Sequence, residues 1–115
     1  MGEIKKEHVE EAFRQMNYGF FIEDIQRGRL RSIRYDLETR GLDVNVSLGD
    51  GWTPLHYAAW HTPEPRKKQM IELLLQHGAN KHQKNDRGKT PLDLVSSMSS
   101  ASEIKPSLQT LALLT

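Results

Sequence analysis

The stretch Asp50-Gly-Trp-Thr-Pro-Leu-His-Tyr-Ala-Ala59 decides the fold of this 115-residue chain, and a shorter copy follows at Gly88-Lys-Thr-Pro-Leu-Asp93. In each copy a glycine ends a turn, because glycine adopts backbone angles that other residues reach only at a steric cost. A threonine then caps a helix, and proline occupies the first helical position, where its missing N–H group costs nothing. The two copies therefore predict two helices that begin at equivalent points of a repeated unit.

The composition describes one small domain with balanced charge. The chain has 16 basic and 15 acidic residues, so its bulk charge does not favour nucleic acid or an anionic membrane as a partner. It contains no cysteine, which excludes disulfides and thiolate chemistry. The apolar runs are too short to span a bilayer, and the first residues lack the apolar core of a signal peptide. We therefore expect an intracellular domain in the cytoplasm or the nucleus.

Helical patterns alternate with glycines and prolines along the rest of the chain. They predict helices over 4–16, 20–27, 30–39 and 66–77, a break at 17–19, and a last helix that starts at Lys105 or Pro106. The small polar residues at 96–102 predict a frayed helix end followed by a loop. Pro63 and Pro65 cannot continue a helix, so they predict a lengthened, stiff loop before the helix at 66–77.

The run Gly-x-Thr-Pro-Leu-His-x-Ala-Ala at 51–59 resembles the ankyrin repeat, whose signature is Thr-Pro-Leu-His-x-Ala with a period near 33 residues. Gly41-Leu-Asp-Val-Asn45 resembles the loop that closes a repeat in that family. The resemblance implies an all-α fold, a short ankyrin-repeat solenoid with about three repeats at 18–49, 50–85 and 86–115, the outer two degenerate. A helix in 1–17 would either cap this stack or form a separate partner-binding arm. Gly51 and Gly88 are 37 positions apart, and the lengthened loop accounts for the excess over the family period.

The resemblance also implies that a partner protein binds to the turns and first helices of the repeats, which line a concave surface in this family. Carried onto this chain, that surface comprises Asp50, Trp52, Trp60, His61, Asp86, Arg87 and Lys89, with Ser97 and Met98 beyond them. Two tryptophans on one face would form an interaction hot spot, because tryptophan supplies a large contact area at low entropic cost. We expect Trp52 to be exposed, whereas Trp60 either joins it or packs under its own loop against Pro63 or Pro65. The resulting prediction is a protein–protein interaction module, monomeric on its own, that acts as an adaptor or scaffold or as a regulatory or inhibitory subunit of an enzyme complex.

Arg27, Arg29, Arg31 and Arg34 form the basis of an alternative prediction, a site for phosphate or nucleic acid. These side chains would form one cationic stripe if the helix continued through Gly28. The competing interpretation is a solvated helix face on which Arg34 pairs with Glu38 four residues later. The run Arg66-Lys-Lys68 is likewise interpreted as a solvated first turn of its helix.

No pattern of residues predicts catalysis or metal binding. The five histidines, His8, His56, His61, His77 and His82, have neither a cysteine nor the His-x-x-x-His spacing of a zinc site. Nucleophile motifs and phosphate-binding glycine loops are missing as well. We therefore expect no enzyme activity, cofactor, metal or small-molecule ligand. The resemblance implies that the ring of His56 bonds the turn beside it, and that Asn45 is either a position for hydroxylation or simply bonds its own turn.

Overall fold

The computed structural model of the chain describes residues 18–63, 66–101 and 108–115. A first helix, α1, covers 18–27. Within the described residues five more α-helices follow it: α2 Leu30–Glu38, α3 Pro54–His61, α4 Arg66–Gln76, α5 Pro91–Ala101 and α6 Leu108–Leu114, with a short 3-10 helix, Gly49–Gly51, between α2 and α3. No strand occurs in these described ranges, and the predicted all-α fold is confirmed. The helix predicted at 4–16 and the predicted start at Lys105 or Pro106 lie outside the described residues.

The middle pair of helices, α3 and α4, lies at the centre of the stack. Helix α3 packs against α4 and α5, and α4 also contacts α2 and α6. Because it has neighbours on two sides, α3 buries Leu55, Ala58 and Ala59 almost completely. The small side chains of the alanines allow neighbouring helices to pack closely against α3. The central position of α3 in the stack therefore explains the Thr-Pro-Leu-His-x-Ala-Ala pattern.

In the first repeat, packing overrides the predicted break at positions 18 and 19, while position 17 lies outside the described residues. Tyr18 and Gly19 are helical. The Tyr18 ring packs edge-on against Phe21 at 6.1 Å between centroids, and its hydroxyl oxygen accepts the N–H of Asp43 at 2.8 Å. These contacts fix the Tyr18 end of the described helix against the loop that closes the repeat, so the low helix propensity of Gly19 does not interrupt the helix.

Equivalent turns precede α3 and α5. Each turn is closed by a pair of backbone bonds: Leu48 exchanges bonds with Gly51 and Trp52, and Asn85 exchanges bonds with Gly88 and Lys89, all at 2.9 Å. A further bond, from the N–H of Asp86 to the carbonyl of Asp50 at 3.0 Å, joins the two turns side by side. The turns of neighbouring repeats therefore form one continuous edge.

The greater length of the loop in the second repeat is confirmed, and its predicted stiffness stays a prediction because positions 64 and 65 lie outside the described residues. Four residues separate α3 from α4, whereas two separate α1 from α2. Both flanks of the loop bond to the first repeat: the Thr62 hydroxyl donates to the Ile25 carbonyl at 2.6 Å, and the Arg66 guanidinium donates to the Gly28 carbonyl at 3.0 Å. The prediction of a solvated first turn in α4 is wrong for Lys67, which is buried because this turn packs on the first repeat.

One further prediction near the C-terminus is wrong. Helix α5 continues through Ala101, where the sequence predicted a frayed end and a loop. Helix α6 buries Thr110 and Leu114, while Ala112 is exposed. The buried side of α6 is set by contacts with both α4 and α5, and the sequence of α6 carries no sign of these neighbours.

Candidate functional site

The candidate site is built on the cap of α3. The N–H of Thr53 donates to Nδ1 of His56 at 3.1 Å, so Nδ1 is the acceptor and Nε2 carries the ring proton. Nε2 then donates to the carbonyl of Lys89 in the next repeat at 2.8 Å. Burial lowers the pKa of His56, although the bond to the Lys89 carbonyl opposes this shift. The implied bond between His56 and its turn is present, and the neutral ring also joins the second repeat to the third.

An aromatic cluster surrounds Trp52, the residue just before this cap. The centroid of its ring lies 5.1 Å from that of Tyr57, 5.9 Å from His56, 6.1 Å from His61 and 6.5 Å from Trp60. All these distances lie within the range of favourable aromatic pairs. Trp52 is half-buried as a result, so the prediction that it is exposed is wrong.

A cavity of about 390 Å³ lies between the turns of the second and third repeats, beside α3 and α5. Its lining residues are Asp50, Trp52, Trp60, Asn85, Arg87, Lys89 and Leu94. The structure thus brings together five of the seven residues predicted to bind a partner. Trp60 is 38% exposed, and its ring stands at 88° to that of Trp52, which agrees with the first of its two predicted placements.

Sequence reasoning missed Asn85 and Leu94 as parts of this cavity. Asn85 is buried, and its Oδ1 accepts the N–H groups of Arg87 at 2.9 Å and Lys89 at 3.0 Å. It therefore holds in place the loop that carries the two cations. The signal for Asn85 was its position at the start of a turn, where asparagine commonly bonds the backbone two residues later.

The remaining two predicted residues, His61 and Asp86, lie apart from this cavity. His61 lines a smaller space of about 120 Å³ together with Gly49, Asp50, Trp52 and Tyr57. Burial lowers the pKa of His61. Asp86 is exposed and takes part through its backbone bond to Asp50. The side chains of Ser97 and Met98 lie outside the described part of the chain.

The four arginines of the alternative site do not form one stripe. Gly28 has a φ of 72° and separates α1 from α2. Arg27 pairs with Glu23 at 3.0 Å and Arg29 with Asp24 at 3.2 Å. Arg31 and Arg34 line two different shallow cavities.

The predicted pairing of Arg34 with Glu38 is also wrong. Glu38 Oε1 lies 3.1 Å from His77 Nε2 instead. His77 belongs to the segment that follows α4, so the partner of Glu38 comes from the next repeat rather than from its own helix face.

Asn45 bonds the next repeat with its side chain. Its amide nitrogen donates to the carbonyl of Gly78 at 3.0 Å, and its Oδ1 accepts the N–H of Asn80 at 2.7 Å. The amide thus joins the closing loops of the first two repeats, and the prediction that Asn45 simply bonds its own turn is wrong. Hydroxylation of Asn45 stays a prediction.

Two negative observations apply to the described residues. They include no group of three or more His, Cys, Asp or Glu side chains placed to hold a metal ion. None of the described helices has the length and apolar character needed to cross a bilayer.

Comparison with known proteins agrees with this architecture. The family model for the ankyrin repeat matches residues 50–86, and a second model, for ankyrin repeats in many copies, matches 21–66. YahD of Escherichia coli (strain K12), named as an ankyrin repeat protein, is 37% identical over 70 residues, which are 60% of this chain and 35% of that protein.

Two animal proteins are similar over a comparable part of the chain. Ankyrin repeat and SOCS box protein 11 of Danio rerio is 44% identical over 60% of the chain and 21% of its own length. The 2-5A-dependent ribonuclease of Mus musculus is 35% identical over 61% of the chain and 9% of its own length. The chain thus spans about a third or less of these relatives. Two family matches, the helical fold and the joined turns agree: the chain belongs to the ankyrin repeat family, whose repeats generally serve as protein–protein interaction modules.

Proposed function

We propose that this chain is a protein–protein interaction module whose partner binds across the turns and first helices of the second and third repeats. The observation that carries the proposal is the cavity where Trp60, Arg87 and Lys89 meet Trp52 and Asp50. Binding hot spots are enriched in tryptophan and arginine, and here an exposed tryptophan and an exposed arginine lie beside a half-buried aromatic ring. We further propose that the chain is an adaptor or scaffold in the cytoplasm or nucleus and has no catalytic role.

A regulatory or inhibitory subunit would use the same surface. The two roles differ in what the partner does, since blocking or positioning an enzyme needs no different chemistry at the cavity. The phosphate or nucleic-acid alternative has less support, because two of its four arginines are paired with carboxylates and the other two line separate cavities.

The proposal is tested by quantitative affinity capture from host-cell lysate with three forms of the protein. The test variant is Trp60→Ala with Arg87→Ala, and the matched control is Tyr35→Ala with Arg31→Ala. Each variant removes one exposed aromatic ring and one exposed arginine, and the control acts on the first repeat. We expect proteins that bind the wild type and the control but are depleted at least about tenfold with the test variant. Equal capture by all three forms, with unchanged helical circular dichroism, would place the binding surface elsewhere.

A further inference from the structure

We infer that the cavity between the second and third repeats takes a partner segment in which an apolar side chain stands next to a carboxylate. This inference rests on the proposed function and adds the chemistry of the partner to it. The apolar side chain would enter the corner between Trp52 and Trp60, and the carboxylate would lie against Arg87 and Lys89.

The apolar half of the site is a rigid corner. The two indole rings are nearly perpendicular, and Leu94, itself buried, adds aliphatic surface to the lining. Trp52 is held by the rings of Tyr57, His56 and His61, so it cannot turn away when a ligand enters. With about 390 Å³, the cavity is at the small end of ligand pockets, which run from about 300 to 1,000 Å³. That volume suits one or two side chains rather than a large cofactor.

The charged half of the site is cationic. Arg87 and Lys89 are both exposed, and neither forms an ion pair with a carboxylate in the described part of the chain. The pKa of the Asp93 carboxyl is lowered chiefly by its hydrogen bond from the Thr90 N–H, and the nearby charge of Lys89 adds a smaller effect. Arg87 is therefore the main anchor, because a guanidinium can bind a carboxylate through two parallel hydrogen bonds.

Asp50 gives the site a direction. It borders both the main cavity and the smaller one beside Tyr57. The pKa of the Tyr57 hydroxyl is raised chiefly by the burial of that residue and to a lesser extent by the negative charge of Asp50. Arg87 and Lys89 line only the main cavity. A bound segment with its carboxylate at the cations would meet Asp50 with a backbone N–H or another donor. A cationic segment would be repelled by Arg87 and Lys89 and attracted by Asp50 alone among the charged residues that line the main cavity.

The site is formed before a partner arrives. Asp50 has a φ of 61°, in the left-handed region that residues other than glycine seldom adopt, and the bond from Asp86 fixes this conformation. Asn85 fixes the backbone of Arg87 and Lys89 in the neighbouring turn. Both turns are therefore ordered in the free protein, which lowers the entropic cost of binding a flexible segment.

Selection from a phage-displayed library of random heptapeptides on the full chain tests the inference. We expect the enriched peptides to share an apolar residue within two positions of Asp or Glu. A synthetic fluorescent form of the most enriched peptide is then titrated by fluorescence anisotropy. Arg87→Glu with Lys89→Glu should weaken its binding at least about tenfold. Arg31→Glu with Arg34→Glu, the matched charge reversal on α2, should leave its Kd within about twofold.

The outcomes separate this inference from the proposed function. Enriched peptides that are basic or lack carboxylates, or binding that survives the reversal of Arg87 and Lys89, overturn the inference. If such peptides still require Trp60, the surface remains a partner site and only its assigned chemistry is wrong. If no peptide is enriched, the inference of a short linear segment is also wrong, and the lysate experiment decides the proposed function independently. The inference would be supported directly if replacing the acidic residue of the peptide by lysine made the peptide prefer the Arg87→Glu, Lys89→Glu variant over the wild type.

Discussion

The caps of α3 and α5 start from the same Thr-Pro-Leu sequence and differ at the fourth residue, His56 in one and Asp93 in the other. His56 is fully buried, and its two ring nitrogens bond in opposite directions, to Thr53 in its own turn and to Lys89 in the next repeat. Asp93 is exposed; its carboxylate accepts the N–H of Thr90 at 2.9 Å, and its own N–H donates to the Thr90 hydroxyl at 3.2 Å. Both residues complete a capping box. The ring reaches one repeat further because its nitrogens lie on opposite sides, whereas a carboxylate on a short stem serves its own turn.

The largest effect is expected from His56→Ala. The change removes a buried ring and leaves the Lys89 carbonyl and the Thr53 N–H without their partner. We expect a loss of about 3–4 kcal/mol in the free energy of unfolding, measured by urea denaturation. His82→Ala, which truncates an exposed histidine, serves as the control and should change stability by less than about 0.5 kcal/mol. A loss below about 1 kcal/mol for His56→Ala would mean that its bond to the third repeat does not hold the stack together.

The turn glycines give a second comparison between the same two repeats. Gly51 and Gly88 have nearly equal φ angles of 72° and 74°, so alanine at either position is strained by about 1–2 kcal/mol. At Gly51 the added Cβ would also lie 2.9 Å from the backbone nitrogen of Asp86, whereas at Gly88 it would meet nothing within 4 Å.

We therefore expect Gly51→Ala to cost about 3 kcal/mol and Gly88→Ala about 1 kcal/mol in the same denaturation experiment. The difference between the two variants isolates the contact between neighbouring turns. Equal losses would show that the turns can separate without cost.

Replacing the capping threonines should have a smaller effect. Thr53 is almost fully buried and Thr90 is half-buried. Thr53→Ala should cost about 2 kcal/mol and Thr90→Ala about 1 kcal/mol, the upper and middle parts of the range for threonine caps. Thermal unfolding monitored by circular dichroism would rank them, and the opposite order would contradict a more tightly held second repeat.

The smallest effect is the difference in pH dependence between the two caps. Burial lowers the folded-state pKa of His56 below its ordinary value of 6.5, so its contribution to stability is complete above pH 6.5. That contribution is lost as the pH falls below 6.5, because the unfolded chain binds the proton first. His61, whose pKa is also lowered, adds a loss of the same sign.

Asp93 should respond only in more acidic solution. Its folded-state pKa is below the ordinary 3.8, so its contribution is complete above pH 3.8 and is lost as the pH falls below that value. Urea denaturation should therefore show that the wild-type protein loses stability between pH 7.5 and 5. The loss should be smaller in His56→Gln and as large as in the wild type in Asp93→Asn. A wild-type stability that is flat over this range would contradict the neutral, buried state of His56.

Most of the fold followed from local sequence signals. Glycine at positive φ, threonine at the cap and proline at the first helical position act within a few residues, so the starts of α3 and α5 were predictable. The candidate site was predictable in part, since the turn residues Asp50, Arg87 and Lys89 came from the family pattern. Asn85 and Leu94 were missed because their place in the cavity depends on how the third repeat packs against α3.

The sequence by itself determined the repeated unit, its helix caps and the lengthened loop, because each depends on the backbone preferences of a few adjacent residues. The tertiary structure alone decided the burial of Trp52, the buried side of α6 and the continuation of α1 through Gly19. It also decided that His56 and Asn45 each bond the following repeat. The bonds of His56 and Asn45 join residues more than 30 positions apart, and the buried side of α6 depends on contacts with α4 and α5. Trp52 and Gly19 are placed by nearer contacts, Trp52 by the rings of the adjoining helix α3 and Gly19 by the bond between Tyr18 and Asp43. In each case the energy of side-chain packing outweighs local propensity once the repeats have stacked.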